Sequence, residues 1–330
     1  MKRQSAFNPE SFSDALSAAE AKGQQFEQVY FVACGASLAD LYPSRYFLDR
    51  ESRQLRTAGY SSNEFVHAEP AALNHGSLVV VCSHSGGTAE TVQAAKLARE
   101  SGAFVVTLTH NQQSDLAPHS DYSILYDWGE QSRVDDNPMA VALAISAETL
   151  KRIEGYVGYT DFRNAMEQVN NLVQAARERV RGRSEEFAAA SADESLYYVL
   201  SSGASYGHAR SFAGSGLMEM QWLDASAIHT GEFFHGPFEI TSRAKNFFLL
   251  KNEGCTRPLD QRAEDFLRQY AGQLEVIDAR QLGISALAAG VVDYFNPILF
   301  YSVLCEYRDA LARVRRHPID TRRYMGKVDY

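Results

Sequence analysis

Residues 82–91, CSHSGGTAET, place three hydroxyls, Ser83, Ser85 and Thr88, in one short loop with two glycines. The loop follows the apolar run 78–81 and opens a helix-like stretch. A strand, a small-residue loop and a helix start form a geometry that holds phosphate, because exposed backbone N–H groups and the helix dipole both face the anion. Taken singly, Ser and Thr here are ordinary turn and N-cap residues. Taken together, the S-x-S-G-x-T run points to a phosphate and needs no lysine. Ser37 closes another apolar run, 29–37 (VYFVACGAS). In a parallel sheet ligands collect at the carboxyl ends of the strands, so Ser37, Ser83, Ser85 and Thr88 can converge on one anion. His84, between the serines, is either a further donor to the phosphate or an exposed ring.

Proton transfer has its own candidates. Glu219 sits in MEMQW (218–222), among Leu217, Met218, Met220 and Trp222. Desolvation there raises a carboxyl pKa toward the range of a general base; the alternative is a Glu on a solvated helix stripe. Sixteen positions on (235 − 219), His235 in TGEFFHGPFEI (230–240) precedes Gly236-Pro237, where a turn pins the backbone. Histidine titrates near neutrality and can serve a sugar ring oxygen, although a lone His is more often structural. His229 and Glu232 flank it, and spacing does not rank the four.

Residues 29–37 and 196–205 (LYYVLSSGAS) repeat one pattern at an offset of 168 (203 − 35), which predicts two copies of an α/β unit. Short β-rich runs at 29–33, 57–60, 78–82, 104–108 and 122–126 alternate with helical spacing. The second half repeats them at 196–200, 225–229, 247–251 and 274–278. Each set reads as a parallel sheet with helices on both faces, flavodoxin-like. Helices are expected over 88–101, stopping at Gly102, and from the Asn-Pro starts at 137–153 and 296–312. The polar stretch 161–192 lacks Pro and Gly clusters and reads as bridging helices between domains at 1–160 and 193–330. The tail 317–330, HPIDTRRYMGKVDY, either packs on the protein or is a surface extension.

With 330 residues, 45% hydrophobic and 22% charged, the chain can bury two cores. A net charge of −9 disfavours nucleic acid or an anionic membrane as partner. Cys34, Cys82, Cys255 and Cys305 are widely spaced, against a zinc site or disulfide framework and in keeping with a reducing compartment. The opening MKRQSAFNPESF carries no apolar stretch, and no segment approaches the length of a membrane span, so a cytoplasmic protein is expected.

FVACGAS, CSHSGGTAET and TGEFFHGPFEI together resemble the sugar isomerase (SIS) domain, present twice as in the isomerase half of glucosamine-6-phosphate synthase. The resemblance covers nearly the whole chain. Through MEMQW and the tail pattern HP-x-x-TRRYM-x-KV-x-Y it extends to the fructosamine and 6-phosphofructose-aspartate deglycases, which split 6-phosphorylated Amadori compounds. It implies that Ser37, Ser83, Ser85 and Thr88 bind phosphate, with His84 beside them. It also implies that Glu219 moves a proton between C1 and C2, and that His235, reaching in from a neighbouring subunit, opens the ring. Lys327 looks like the synthase's near-terminal lysine that engages the sugar carbonyl. His84 stands where the synthase has Gln and Gly216 near its helix lysine, so ammonia-addition chemistry is not implied.

The resemblance further implies a phosphorylated sugar-amine substrate, no metal or organic cofactor, and a homodimer or tetramer. An aldose-ketose phosphosugar isomerase or an isomerising deaminase would use the same Glu and His. A sugar-phosphate sensor is the non-enzymatic alternative, and against it stands the lack of a basic DNA-binding arm.

Overall fold

The computed structural model describes residues 7–129 and 132–329. The first six residues of the opening segment and the last of the tail lie outside the described residues. The chain divides into two compact units, Met1–Asn170 and Asn171–Tyr330.

In the first unit five parallel strands, β1 (Gln28–Ala33), β2 (Arg56–Ser61), β3 (Ser77–Cys82), β4 (Phe104–Thr109) and β5 (Tyr122–Leu125), lie in the order β2-β1-β3-β4-β5. The inner strands QVYFVA, SLVVVC and FVVTLT are buried along their whole length, as continuous apolar runs in a covered parallel sheet must be, whereas edge strands β2 and β5 are partly exposed. Around them stand α1 (Pro9–Glu20), α2 (Gly35–Glu51), α3 (Ser62–Ala68), α4 (Ala89–Glu100) and α5 (Pro138–Glu154). On one face Tyr30, Val32, Val79, Val81 and Val105 meet Phe65 of α3 and Ala94, Ala95 and Ala98 of α4. On the other, α2 packs with α5, which begins as its Asn-Pro start predicts. The Asn137 side chain accepts from the Ala140 N–H at 2.8 Å, and the helix is buried from Pro138 to Leu150. Ala33 pairs beside Cys82 and Cys82 beside Leu108, so the segments leaving β1, β3 and β4 emerge level at one sheet edge.

The stretch expected as bridging helices is one helix, α6 (Tyr159–Ala190), and the boundary between the units falls inside it. In the second unit β6 (Leu196–Ser201), β7 (Asp224–His229), β8 (Asn246–Lys251) and β9 (Gln273–Asp278) are parallel in the order β7-β6-β8-β9. This is the first four-strand order again, one strand shorter, and both orders are flavodoxin-like. The helices are α7 (Tyr206–Ser211), α8 (Arg257–Tyr270) and α9 (Val292–Arg315). Helix α9 starts earlier than its Asn-Pro pair suggests, because Asn296 is not its cap. The Asn296 side-chain amide donates to Glu253 O at 2.8 Å and to Asp293 O at 3.2 Å, the carbonyl that Pro297 has no N–H to satisfy.

Residues 212–219, between α7 and β7, wind as a π-helix that the sequence reading does not anticipate. Among the described residues no helix is long and apolar enough to cross a membrane.

Candidate active site

The segment leaving β3 carries the expected hydroxyls at the start of α4. Ser83 Oγ lies 2.9 Å from Thr88 Oγ1 and 3.5 Å from Ser85 Oγ, so the three converge. Ser83 Oγ accepts from the Gly86 N–H at 3.1 Å, and Ser85 Oγ accepts from the Gly87 N–H at 3.2 Å. Thr88 is the N-cap residue of α4, yet its hydroxyl makes no capping bond to that helix. Gly86 has φ +70°, and a Cβ there would fall 2.2 Å from Ser114 Oγ, so the close turn requires glycine. Neighbouring loop residues hold the turn from outside: Ser114 donates to Gly86 O at 3.1 Å and Asn111 Nδ2 to Ser85 O at 3.0 Å. Ser37 does not end a strand; it lies in the first turn of α2, and its hydroxyl bonds to the Cys82 thiol next to Ser83. Ser37, beside Cys82, and the three loop hydroxyls thus lie at the carboxyl ends of β1 and β3, near the N-terminus of α4.

His84 belongs to an aromatic cluster that the motif alone does not reveal. Its Nδ1 is 2.9 Å from the Tyr126 hydroxyl, its ring stacks on His110 at 5.1 Å, and Trp128 meets it edge-on at 5.3 Å. Desolvation and the neighbouring His110 imidazole both push the His84 pKa down, which favours a neutral ring at physiological pH. Asp40 of α2, also absent from the sequence reading, is buried, and desolvation raises its pKa to about 8. Its charge would bear on Cys82 and Tyr126. The available signal for these residues is the topology: His110 and Tyr126 leave β4 and β5 beside the loop that leaves β3.

In the second unit Glu219 ends the π-helical turn. It is not enclosed by its apolar neighbours: its side chain is 28% exposed and its Oε1 lies 2.7 Å from Arg322 Nη2. The tail thus packs on this turn. Arg323 sits over the Trp222 ring at 4.2 Å, His317 meets the same ring at 4.5 Å, and Gln221 Nε2 donates to His317 O at 3.0 Å. Lys327 Nζ donates to Arg322 O at 2.5 Å, so its amine rests on the tail's own backbone.

His235 is exposed on the turn before Gly236, and the apolar cluster around Phe233 and Phe234 anchors that turn. No hydrogen bond or ion pair joins His235 to Glu219 within the described residues. His229 accepts from the Gly231 N–H at 3.1 Å and packs edge-on against Tyr206, a structural role, while Glu232 and Glu239 are exposed. All four cysteines are free, and no cluster of three metal-binding side chains occurs among the described residues.

The SIS-domain model matches residues 24–146, the span that carries the hydroxyl loop. Fructosamine deglycase FrlB of Bacillus subtilis is 40% identical over 309 residues, 94% of each chain. Fructoselysine 6-phosphate deglycase of Escherichia coli O157:H7 is 26% identical over 92% of this chain and 86% of its own. A crystal structure described as a phosphosugar isomerase of Salmonella typhimurium LT2 superposes with a TM-score of 0.96 at 41% identity, covering 100% of this chain and 99% of the other. With two flavodoxin-like units, a hydroxyl loop in the first and relatives aligned from end to end, the chain belongs to the SIS-domain family of phosphosugar enzymes that includes the fructosamine deglycases.

Proposed function

We propose that this enzyme is a deglycase that cleaves a 6-phosphorylated Amadori compound, a fructose-amino acid 6-phosphate, with water to a hexose 6-phosphate and a free amino acid. One observation carries the reading: Ser83, Ser85 and Thr88 converge at a helix N-terminus in a chain 40% identical to a fructosamine deglycase. The phosphate, remote from the reacting carbons, contributes binding energy that orients them. His235 assists ring opening. Glu219 then takes a proton from C1 of the α-amino ketone. The resulting enolamine is reprotonated at C2 to an aldimine, and water adds across the C=N bond to release the amine. A positioned carboxylate suffices for that abstraction, because the adjacent carbonyl acidifies C1. Lys327 acts as an electrostatic neighbour of the sugar carbonyl.

The site is shared between subunits, with His235 delivered to a partner's Glu219; its exposure on an anchored turn supports that role. Incubation with a panel of 6-phosphofructosyl amino acids should release amino acid and hexose 6-phosphate in equal amounts. Interconversion of fructose 6-phosphate and glucose 6-phosphate, with no amine released from any member, would replace this reading with that of a simple isomerase. Co-expressed Glu219→Gln and His235→Ala chains should regain activity by forming one intact shared site. Mixed oligomers without recovery would place both residues in cis.

A further inference from the structure

The Arg322–Glu219 pair joins the proposed base to a cation from the far end of the same unit, in an open cleft of about 570 Å³ lined also by Trp222, Asp224, Arg323 and Met325. Arg322 is held independently of Glu219: its Nη1 donates to Ile319 O at 2.6 Å and to Thr321 O at 3.2 Å, leaving Nη2 to face the cleft. A guanidinium anchored by backbone carbonyls is a preorganised carboxylate receptor. Arg257, another arginine of this unit, is already engaged with Asp278 by two bonds of 2.8 and 2.7 Å.

We infer that Arg322 is the receptor for the α-carboxylate of the substrate's amino acid, and that the substrate takes this guanidinium from Glu219 as it binds. The inference rests on the deglycase reading and deepens it. In an α-glycated amino acid the carboxyl carbon is separated from C1 by the amine nitrogen and the α-carbon, so by ordinary bond lengths it lies roughly 3–4 Å from C1. A base aimed at C1 and a cation aimed at the carboxylate must therefore be neighbours, as Glu219 and Arg322 are.

The exchange also suits the chemistry. While Arg322 Nη2 lies 2.7 Å from Glu219 Oε1, that oxygen is occupied by the guanidinium. Drawing the cation away at the moment of binding frees the base only when the correct substrate is present. Once the base has taken the C1 proton it is neutral, and Arg322 and Arg323 then balance the substrate carboxylate and Asp224. That balance favours the proton-transferred state over the free site.

The test compares 6-phosphofructosyl-glycine with 6-phosphofructosyl-methylamine, which differ only in the carboxylate, and the α- and ε-linked 6-phosphofructosyl-lysines, which differ only in its position. The wild-type enzyme should prefer the glycine adduct and the α-linked isomer on the order of 10- to 100-fold in kcat/KM. In Arg322→Gln both preferences should collapse toward unity, and Arg322→Lys should restore part of them. Equal use of the paired compounds by the wild-type protein would overturn the inference without any variant and leave the deglycase reading standing.

Calorimetric binding to Glu219→Gln protein separates the two ideas. Preference for the carboxylated ligands, lost in Glu219→Gln/Arg322→Gln, with no amine released by the wild type, would uphold Arg322 and reject the deglycase reading. Equal binding of the paired ligands would reject Arg322 whatever the turnover, and binding of none would reject both.

Discussion

The two units share a strand order and part at the loop where an anion would bind. Both loops follow the strand that pairs with the first strand of the unit and lead into a helix. In the first, among the described residues, the hydroxyls of Ser83, Ser85 and Thr88 hydrogen-bond to one another and to glycine N–H groups, so hydroxyl capacity is left for a ligand. In the second, 252–256 (NEGCT), the chain supplies its own carboxyl group. Buried Asp260 accepts from Asn252 N at 2.9 Å, Asn252 Nδ2 at 2.8 Å, Ser202 Oγ at 2.8 Å and Thr230 Oγ1 at 2.7 Å. Burial pushes the Asp260 pKa up against the pull of those four bonds. Gly35 and Gly203 open the matching turns at φ +54° and +53°, but space for a Cβ is free above Gly35 and filled by Thr256 at 2.8 Å above Gly203. Duplication thus preserved the frame. One copy leaves its loop hydroxyls open, and the other fills the matching place with the Asp260 carboxyl group.

On the proposed function the second unit carries the proton transfer and the first the phosphate, and the largest expected effect tests the proton transfer. Glu219→Gln keeps shape and removes the base, so turnover should fall about 10²–10⁴-fold while the phosphorylated substrate still binds. Exchange of the C1 proton with solvent deuterium should vanish with it. Near-normal turnover would move the base to another carboxylate, with Glu232 and Glu239 the first to examine.

Replacing Ser83 and Thr88 together by Ala should raise KM about 10²–10⁴-fold, since each hydrogen bond to a charged phosphate is worth roughly 1.5–3 kcal/mol. Unchanged saturation by a 6-phosphorylated substrate would dispose of the open loop. The mirror-image experiment is Asp260→Ala. It strips four donors of a buried acceptor and should lower unfolding stability by about 3 kcal/mol in a denaturant titration, with KM for the phosphorylated substrate unmoved. A rise in KM with stability intact would mean that the second loop also handles ligand.

Asp40 sharpens the contrast through pH. Its folded pKa of about 8 exceeds the unfolded value near 3.9, so the folded state holds the extra proton. Its contribution to stability is complete below about pH 4 and is lost as pH rises toward 8, at roughly 1.4 kcal/mol per unit within that window. Asp40→Asn should remove this slope between pH 6 and 7 in denaturant melts; a slope identical to that of the wild type would show that Asp40 is ionised in the fold. The smallest effect is a difference between glycines. Gly35→Ala carries only the left-handed backbone cost of about 1–2 kcal/mol, whereas Gly203→Ala must also displace Thr256 and should be the more destabilising by about 1 kcal/mol. Equal losses would mean that the second loop yields as readily as the first.

Much of this molecule is legible in its residues. Strands such as SLVVVC and NFFLLK have an unbroken apolar centre because both faces of a parallel sheet are covered, so composition alone marks them, and the repeated Gly-Ala-Ser turn announces the duplication. The hydroxyl loop is legible for a related reason: a local turn brings residues five apart, Ser83 and Thr88, into contact.

What the residues do not reveal is whatever depends on long-range neighbours or on a choice between nearly equal local windings. The π-turn that ends at Glu219 arises in a segment whose apolar residues suit an α-helix equally well, with Gly214 and Gly216 the only local hint. Asp40 is an ordinary helix aspartate until the sheet edge buries it, and Asn296 passes for a cap until its amide is found tying three carbonyls. Arg322 lies 103 positions beyond Glu219 (322 − 219), and only the folded tail sets guanidinium against carboxylate. Local patterns determined which strands, helices and hydroxyl turn this chain makes, because their energetics act within a few residues. Tertiary structure decided which charges meet, because burial and Coulomb attraction depend on distance in space and not along the chain.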